Sequence, residues 1–202
     1  MNLARWTFLF LSTVGIGIAV SLAIGLGLQL ADPEYRPEQV GIEGFGYNLI
    51  GTAIVGAMLG AFSHMGFFAY LTVNLFAQGF FRSSYLWSYV QVFLIIVVAV
   101  YAAVFRTPEG QSFLPFFVLP ALIAAAAVPV TLWKVKQTNK QALVPTLFFL
   151  IAVTLLEAVP ALRQYNPYAT VLMVAPLFAC NAWQILQLHR LVGPRKEPAS
   201  RA

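Results

Sequence analysis

Hydrophobic positions in this chain come in long uninterrupted runs rather than in the alternating or strictly one-faced patterns of a water-soluble fold. Six runs stand out, at about residues 6–30, 47–70, 85–105, 113–133, 142–162 and 168–188. Each holds about 20 residues or more, and at about 1.5 Å per residue that length crosses the roughly 30 Å hydrocarbon layer of a bilayer. Backbone N–H and C=O groups inside hydrocarbon must be satisfied within the segment, so runs of this kind fold as helices. The pattern therefore predicts an all-α, polytopic integral membrane protein, a six-transmembrane-helix bundle forming one domain over residues 1–190, with 191–202 a basic tail too short and polar to fold alone. The first run is too long for a signal peptide and ends in Leu28-Gln29-Leu30-Ala31, a poor cleavage site, so it reads as an uncleaved span.

Small residues break the apolar text at regular intervals. Gly17, Ser21 and Gly25 repeat every four positions in the first run, and Thr52, Gly56, Gly60 and His64 do so in the second. Four-residue spacing places each set on one helix face, where missing side chains let two backbones approach closely. Such faces predict contact with another helix, either within the chain or in a partner. Gly66 extends the second set toward the end of its run. The centre of the third run, Val92 to Val100, is uniformly apolar and suits lipid on most sides. Pro115, Pro120 and Pro129 fall in the fourth run, and the last two are expected to bend it by freeing carbonyls four residues back. Asn74, Gln78, Gly79 and Arg82 mark a short polar connection after the second run, or an interfacial helix.

The string Ser63-His64-Met65-Gly66-Phe67-Phe68-Ala69-Tyr70-Leu71-Thr72 is the most distinctive in the chain. Through it, and through the layout of nearly the whole sequence, the chain resembles the KinB-signalling pathway activation protein family, KbaA. That resemblance implies a small multi-spanning protein of the cell membrane, needed for a sensor histidine kinase of KinB type to feed the sporulation phosphorelay. It implies no catalytic residue.

Composition sharpens the class: 60% of residues are hydrophobic and 9% charged, against about a quarter charged in a soluble domain. The net charge of +5 does not point to nucleic acid, because the basic residues flank the apolar runs. With six spans, Arg5, Arg82, Lys134, Lys136, Lys140, Arg190, Arg195, Lys196 and Arg201 lie on one side, and Arg36, Arg106 and Arg163 on the other. That bias predicts both termini in the cytoplasm. The first loop, Asp32 to Gln39 with Glu43 beyond, then lies outside, and its proline-separated carboxylates read as a solvated loop rather than a metal site. Twelve of fourteen glycines precede residue 100 and ten of twelve prolines follow it, which speaks against an inverted repeat of transporter type.

Chemistry-bearing groups are few. Cys180 is the only cysteine, so neither an intramolecular disulfide nor a cysteine metal cluster forms. His64 and His189 lack carboxylates at ligand spacing, so no metal and no cofactor is expected. No nucleophile elbow, P-loop or HExxH string occurs, and no segment between runs is long enough for a soluble catalytic domain, so the expectation is a non-enzyme. Glu157 is the one acidic residue inside a run. A charge at the bilayer centre costs about 2.5 to 3.5 kcal/mol, so Glu157 should face protein or water, with Arg163 or a carbonyl freed by Pro160 as its expected partner near the outer end. His64, Gln91, Asn181 and Gln184 fall at similar depth from the inner end and define a candidate polar layer, either interhelical glue or the lining of a small cavity.

Two function classes follow. The first is a non-enzymatic accessory that associates with a sensor histidine kinase through its small-residue faces, faces equally suited to self-association. The second is a small-molecule transporter or ligand sensor built on Glu157 and the Asn181/Gln184 layer.

Overall fold

The computed structural model describes residues 3–31, 37–81, 83–105, 114–162 and 166–192. The acidic first loop from Asp32 to Arg36, together with Arg82, Arg106, Arg163 and the tail from Gly193, lies outside the described residues. Among the described residues every regular element is helical: α1 (Leu3–Ala31), α2 (Pro37–Phe80), α3 (Ser84–Phe105), α4 (Val118–Gln137), α5 (Leu143–Phe148), α6 (Thr154–Glu157), α7 (Val159–Leu162) and α8 (Pro167–Val192). Among the described residues six segments are long and apolar enough to cross a membrane: Leu3–Ala31, Gly41–Phe80, Tyr85–Phe105, Val118–Gln137, Lys140–Glu157 and Pro167–Leu191.

The second segment is longer than its apolar run. It begins at Gly41, where φ of +72° breaks the helix after Pro37–Val40, and continues 40 residues to Phe80. That is about 60 Å of helix, twice the hydrocarbon thickness. Of the two expectations for the stretch around Asn74 and Gln78, the helical one holds: they are four residues apart on one face of α2, which runs on to Phe80. Asn74 instead accepts a 2.8 Å hydrogen bond from the Trp87 indole, tying the end of α2 to the start of α3.

Pro120 acts differently from expectation in α4. Pro115 sits in a 3-10 turn, Leu114–Phe117, and Pro120 occupies the first turn of α4, where the backbone nitrogen has no intrahelical acceptor to lose. Only Pro129 lies in the helix interior, and α4 runs unbroken across it.

The core lies around the chain from Leu143 to Leu162, in which Phe149, Leu150, Ala152, Leu155, Ala158 and Ala161 are fully buried. Its middle, Phe149–Val153, is a π-helical turn between α5 and α6. An extra residue in one turn rotates everything after it by about 100°. Tyr70 closes α2 over this segment, its ring 4.8 Å from that of Phe149 and its hydroxyl donating to the Pro145 carbonyl at 3.3 Å.

α8 packs on α1 through polar contacts: the Trp183 indole donates to Ser12 Oγ at 2.9 Å, and the Cys180 thiol donates to the Thr13 carbonyl at 3.4 Å. Cys180 is fully buried. A maleimide should therefore leave the folded protein unlabelled in native membranes and react after denaturation in SDS. Rapid labelling without detergent would contradict this packing of α8 on α1.

Candidate functional site

The glycine stripes meet each other. Buried positions on α1 are Leu9, Thr13, Gly17, Ser21 and Gly25, one every four residues. Opposite them on α2 stand Thr52, Gly56 and Gly60. A Cβ on Gly60 would lie 2.7 Å from Val14 Cα and 3.0 Å from the Thr13 carbonyl oxygen, and one on Gly56 would lie 2.8 Å from both Ile18 Cα and Ser21 Cβ. Gly17 faces the Gly56 carbonyl, and Gly25 faces the Thr52 methyl. At Gly17, Gly56 and Gly60 the neighbours include backbone atoms, a closeness that only glycine permits, and the attraction gained is dispersion. At the end of this seam Phe10 and Phe68 close edge-on around His64, with ring centroids 5.3 and 4.9 Å away, and Trp6 lies against Phe68 at 5.1 Å.

A second feature lies behind the seam, where α2, α6 and α8 converge. Three pairs spaced three residues apart, Ser63/Gly66, Thr154/Glu157 and Asn181/Gln184, each share a helix face. The Asn181 amide donates to Glu157 Oε2 at 2.7 Å and to Thr154 Oγ1 at 3.0 Å. Its carbonyl oxygen accepts from the Ser63 hydroxyl at 2.8 Å, and that hydroxyl accepts from the Gln184 amide at 2.7 Å. Glu157 is only 5% exposed, and Ser63, Thr154, Asn181 and Gln184 are fully buried. Gly66 is part of this arrangement, because a Cβ there would occupy the position of Glu157 Oε1. Two acceptors remain without a hydrogen-bond partner among the described residues, Glu157 Oε1 and Gln184 Oε1.

This placement redraws the polar layer. Glu157 is bonded to Asn181 inside the bundle, at the end of α6 just before the turn at Ala158 that leads into α7; Arg163, its expected partner near the outer end, lies outside the described residues. His64 sits against Phe10 and Phe68 at the α1 face and stays within side-chain reach of Gln184, so it borders the network. Gln91 is fully buried on α3, with neither amide atom bonded among the described residues. Ser63, which opens the distinctive string, and Thr154 carry no signal of a polar-layer role in the sequence beyond lying one turn or less from His64 and Glu157. The described residues hold no group of three or more His, Cys, Asp or Glu able to bind a metal ion.

Taken together, the fold is an all-helical bundle with six helices of membrane-crossing length and apolarity, held by a glycine seam and a buried carboxyl–amide–hydroxyl network. The family model for KinB-signalling pathway activation in sporulation, KbaA, matches residues 17–191, and the chain belongs to this family. It is also similar to a Bacillus subtilis (strain 168) protein described as a KinB-signaling pathway activation protein, 39% identical over 140 residues that cover 67% of this chain and 71% of the relative. No solved structure matches.

Proposed function

We propose that this chain is a non-enzymatic accessory of the cell membrane, with both termini cytoplasmic, that activates a sensor histidine kinase of KinB type upstream of the sporulation phosphorelay. Family membership over residues 17–191 is the observation that carries this reading. The association is helix to helix within the membrane, but not through the glycine stripes, which are occupied by one another. The surface best suited to it is α3. Tyr89, Phe93, Ile96, Val100 and Val104 form one stripe at spacings of four, three, four and four, and all are more than 40% exposed. To activate, this surface must bind the kinase's active arrangement more tightly than the inactive one, since equal affinity shifts nothing. Single cysteines along α3 in a Cys180→Ser background, cross-linked in native membranes, should trap the kinase from the Phe93, Ile96 and Val100 positions. Trapping from the α2 stripe instead, or from neither, would contradict the assignment.

The two unpartnered oxygens of the interior network support a second reading, a ligand sensor or small transporter using Glu157, Asn181 and Gln184. Glu157→Gln separates the two. The accessory reading expects normal accumulation and signalling from this near-isosteric change, whereas a sensor that needs the carboxylate loses its response.

A further inference from the structure

The basic end of the bundle holds a groove that the seam and the interior network leave unused. It lies between the end of α2, the start of α3 and the turn Lys140–Ala142 that leads into α5, and encloses about 730 Å³, the size of a small-molecule site. Its walls are fixed: Trp87 donates to Asn74, stacks on Phe81 with centroids 5.7 Å apart, and is itself buried.

The lining is graded. α3 and α5 both enter the bundle from this end, and their first lining residues are polar, Ser83 and Tyr85 on one and Lys140 and Gln141 on the other. Further in stand Val92, Val144 and Pro145. From Ser83 to Val92 the groove descends about 13 Å, more than the headgroup layer of about 5 to 7 Å, so its inner end lies among acyl chains. On the α2 wall the order is reversed, Phe81 outermost with Gln78 and Asn74 further in, but Asn74 is engaged by Trp87; along α3 and α5 the lining follows the order in which a lipid presents its polar and apolar parts. Charge selects the headgroup. All the lysines and arginines among the described residues, Arg5, Lys134, Lys136, Lys140 and Arg190, belong to this end: Arg5 donates to the Arg190 carbonyl and Lys134 to that of Leu186. The exposed carboxylates Glu38 and Glu43 stand at the far end of α2, and no acidic residue lines the groove.

We infer that this groove binds a single acidic phospholipid, with Lys140 opposing the headgroup phosphate and Val92, Val144 and Pro145 receiving the upper part of an acyl chain. The site rests on the membrane placement proposed above and is independent of the kinase. An aromatic, hydroxyl and amide rim at this level gives the phosphate neutral donors around one cation, and the lipid in turn fills the space between α2, α3 and α5.

The test uses the full chain in phosphatidylcholine nanodiscs containing a minor fraction of phosphatidylglycerol, with retained lipids counted by native mass spectrometry after mild detergent release. The wild type should retain one phosphatidylglycerol. Lys140→Gln should weaken retention about fivefold, the effect of one near-surface lysine, and Lys136→Gln, an exposed cation on α4, should not. A photoreactive phosphatidylglycerol should label peptides containing residues 83–92 and 140–145. Insertion with no headgroup preference, equal losses from both lysine variants, or labelling elsewhere would overturn the site alone. So would finding the groove filled in native membranes by a segment of another protein. Failure of the wild type to insert would overturn the membrane placement and the site together.

Discussion

Gly60→Leu is expected to lower accumulation in the membrane and to destabilise the bundle by more than about 2 kcal/mol. Overpacking a filled core commonly costs about 1–3 kcal/mol, because side chains and backbone must shift. Here the nearest atoms to an added Cβ are Val14 Cα at 2.7 Å and the Thr13 carbonyl oxygen at 3.0 Å, which move only if α1 and α2 separate. Gly56→Leu should behave alike, since Ile18 Cα and Ser21 Cβ both stand 2.8 Å from its added carbon. Gly15 and Gly51 supply the control, with nothing within 4 Å of an added Cβ at either position. Leucine there should leave accumulation and the unfolding midpoint in mixed micelles close to wild type. Equal tolerance at positions 15 and 60 would refute close packing of α1 on α2.

Asn181→Leu is the second large effect. Asn181 links Ser63, Thr154 and Glu157, so one substitution removes three hydrogen bonds and leaves the Glu157 carboxyl buried without a donor. Single polar contacts between membrane helices average about 0.6 kcal/mol and reach about 1.7. Stranding a buried polar group costs about 1–3 kcal/mol, and more when it is charged. A loss of about 2–3 kcal/mol is therefore expected, read as a lower midpoint in denaturant titration of purified protein. Glu157→Leu combined with Asn181→Leu should recover part of it, because removing both partners costs less than orphaning one. Strict additivity of the two single changes would mean that the 2.7 Å contact carries no coupling.

Much of the architecture was legible as pattern. Apolar runs longer than a bilayer is thick admit few folds, and the four-residue spacing of Gly17, Ser21 and Gly25 and of Thr52, Gly56 and Gly60 marks faces that a lipid has no reason to prefer. The pairing of those faces was not legible. A face defined by missing side chains fits any other such face, so the same residues suggested an external partner as readily as α1 against α2.

Depth was the other source of error. Counting back from Leu162 treats the end of the run as one straight helix, but the chain turns at Ala158 between α6 and α7, and Thr154 and Glu157 meet Asn181. His64 and Ser63 are adjacent in sequence and about 100° apart around α2. The imidazole consequently meets Phe10 and Phe68 at the edge of the polar network, within reach of Gln184, and the hydroxyl enters its centre. Periodicity finds faces; which face meets which depends on packing of all the helices at once.

The most direct test of an internal seam is a disulfide across it. In a Cys180→Ser background, Phe10→Cys and His64→Cys replace side chains whose rings lie 5.3 Å apart, and mild oxidation in native membranes should yield a monomer of altered gel mobility. Covalent dimers in place of that monomer, or no cross-link while neighbouring lipid-facing pairs react, would contradict the account.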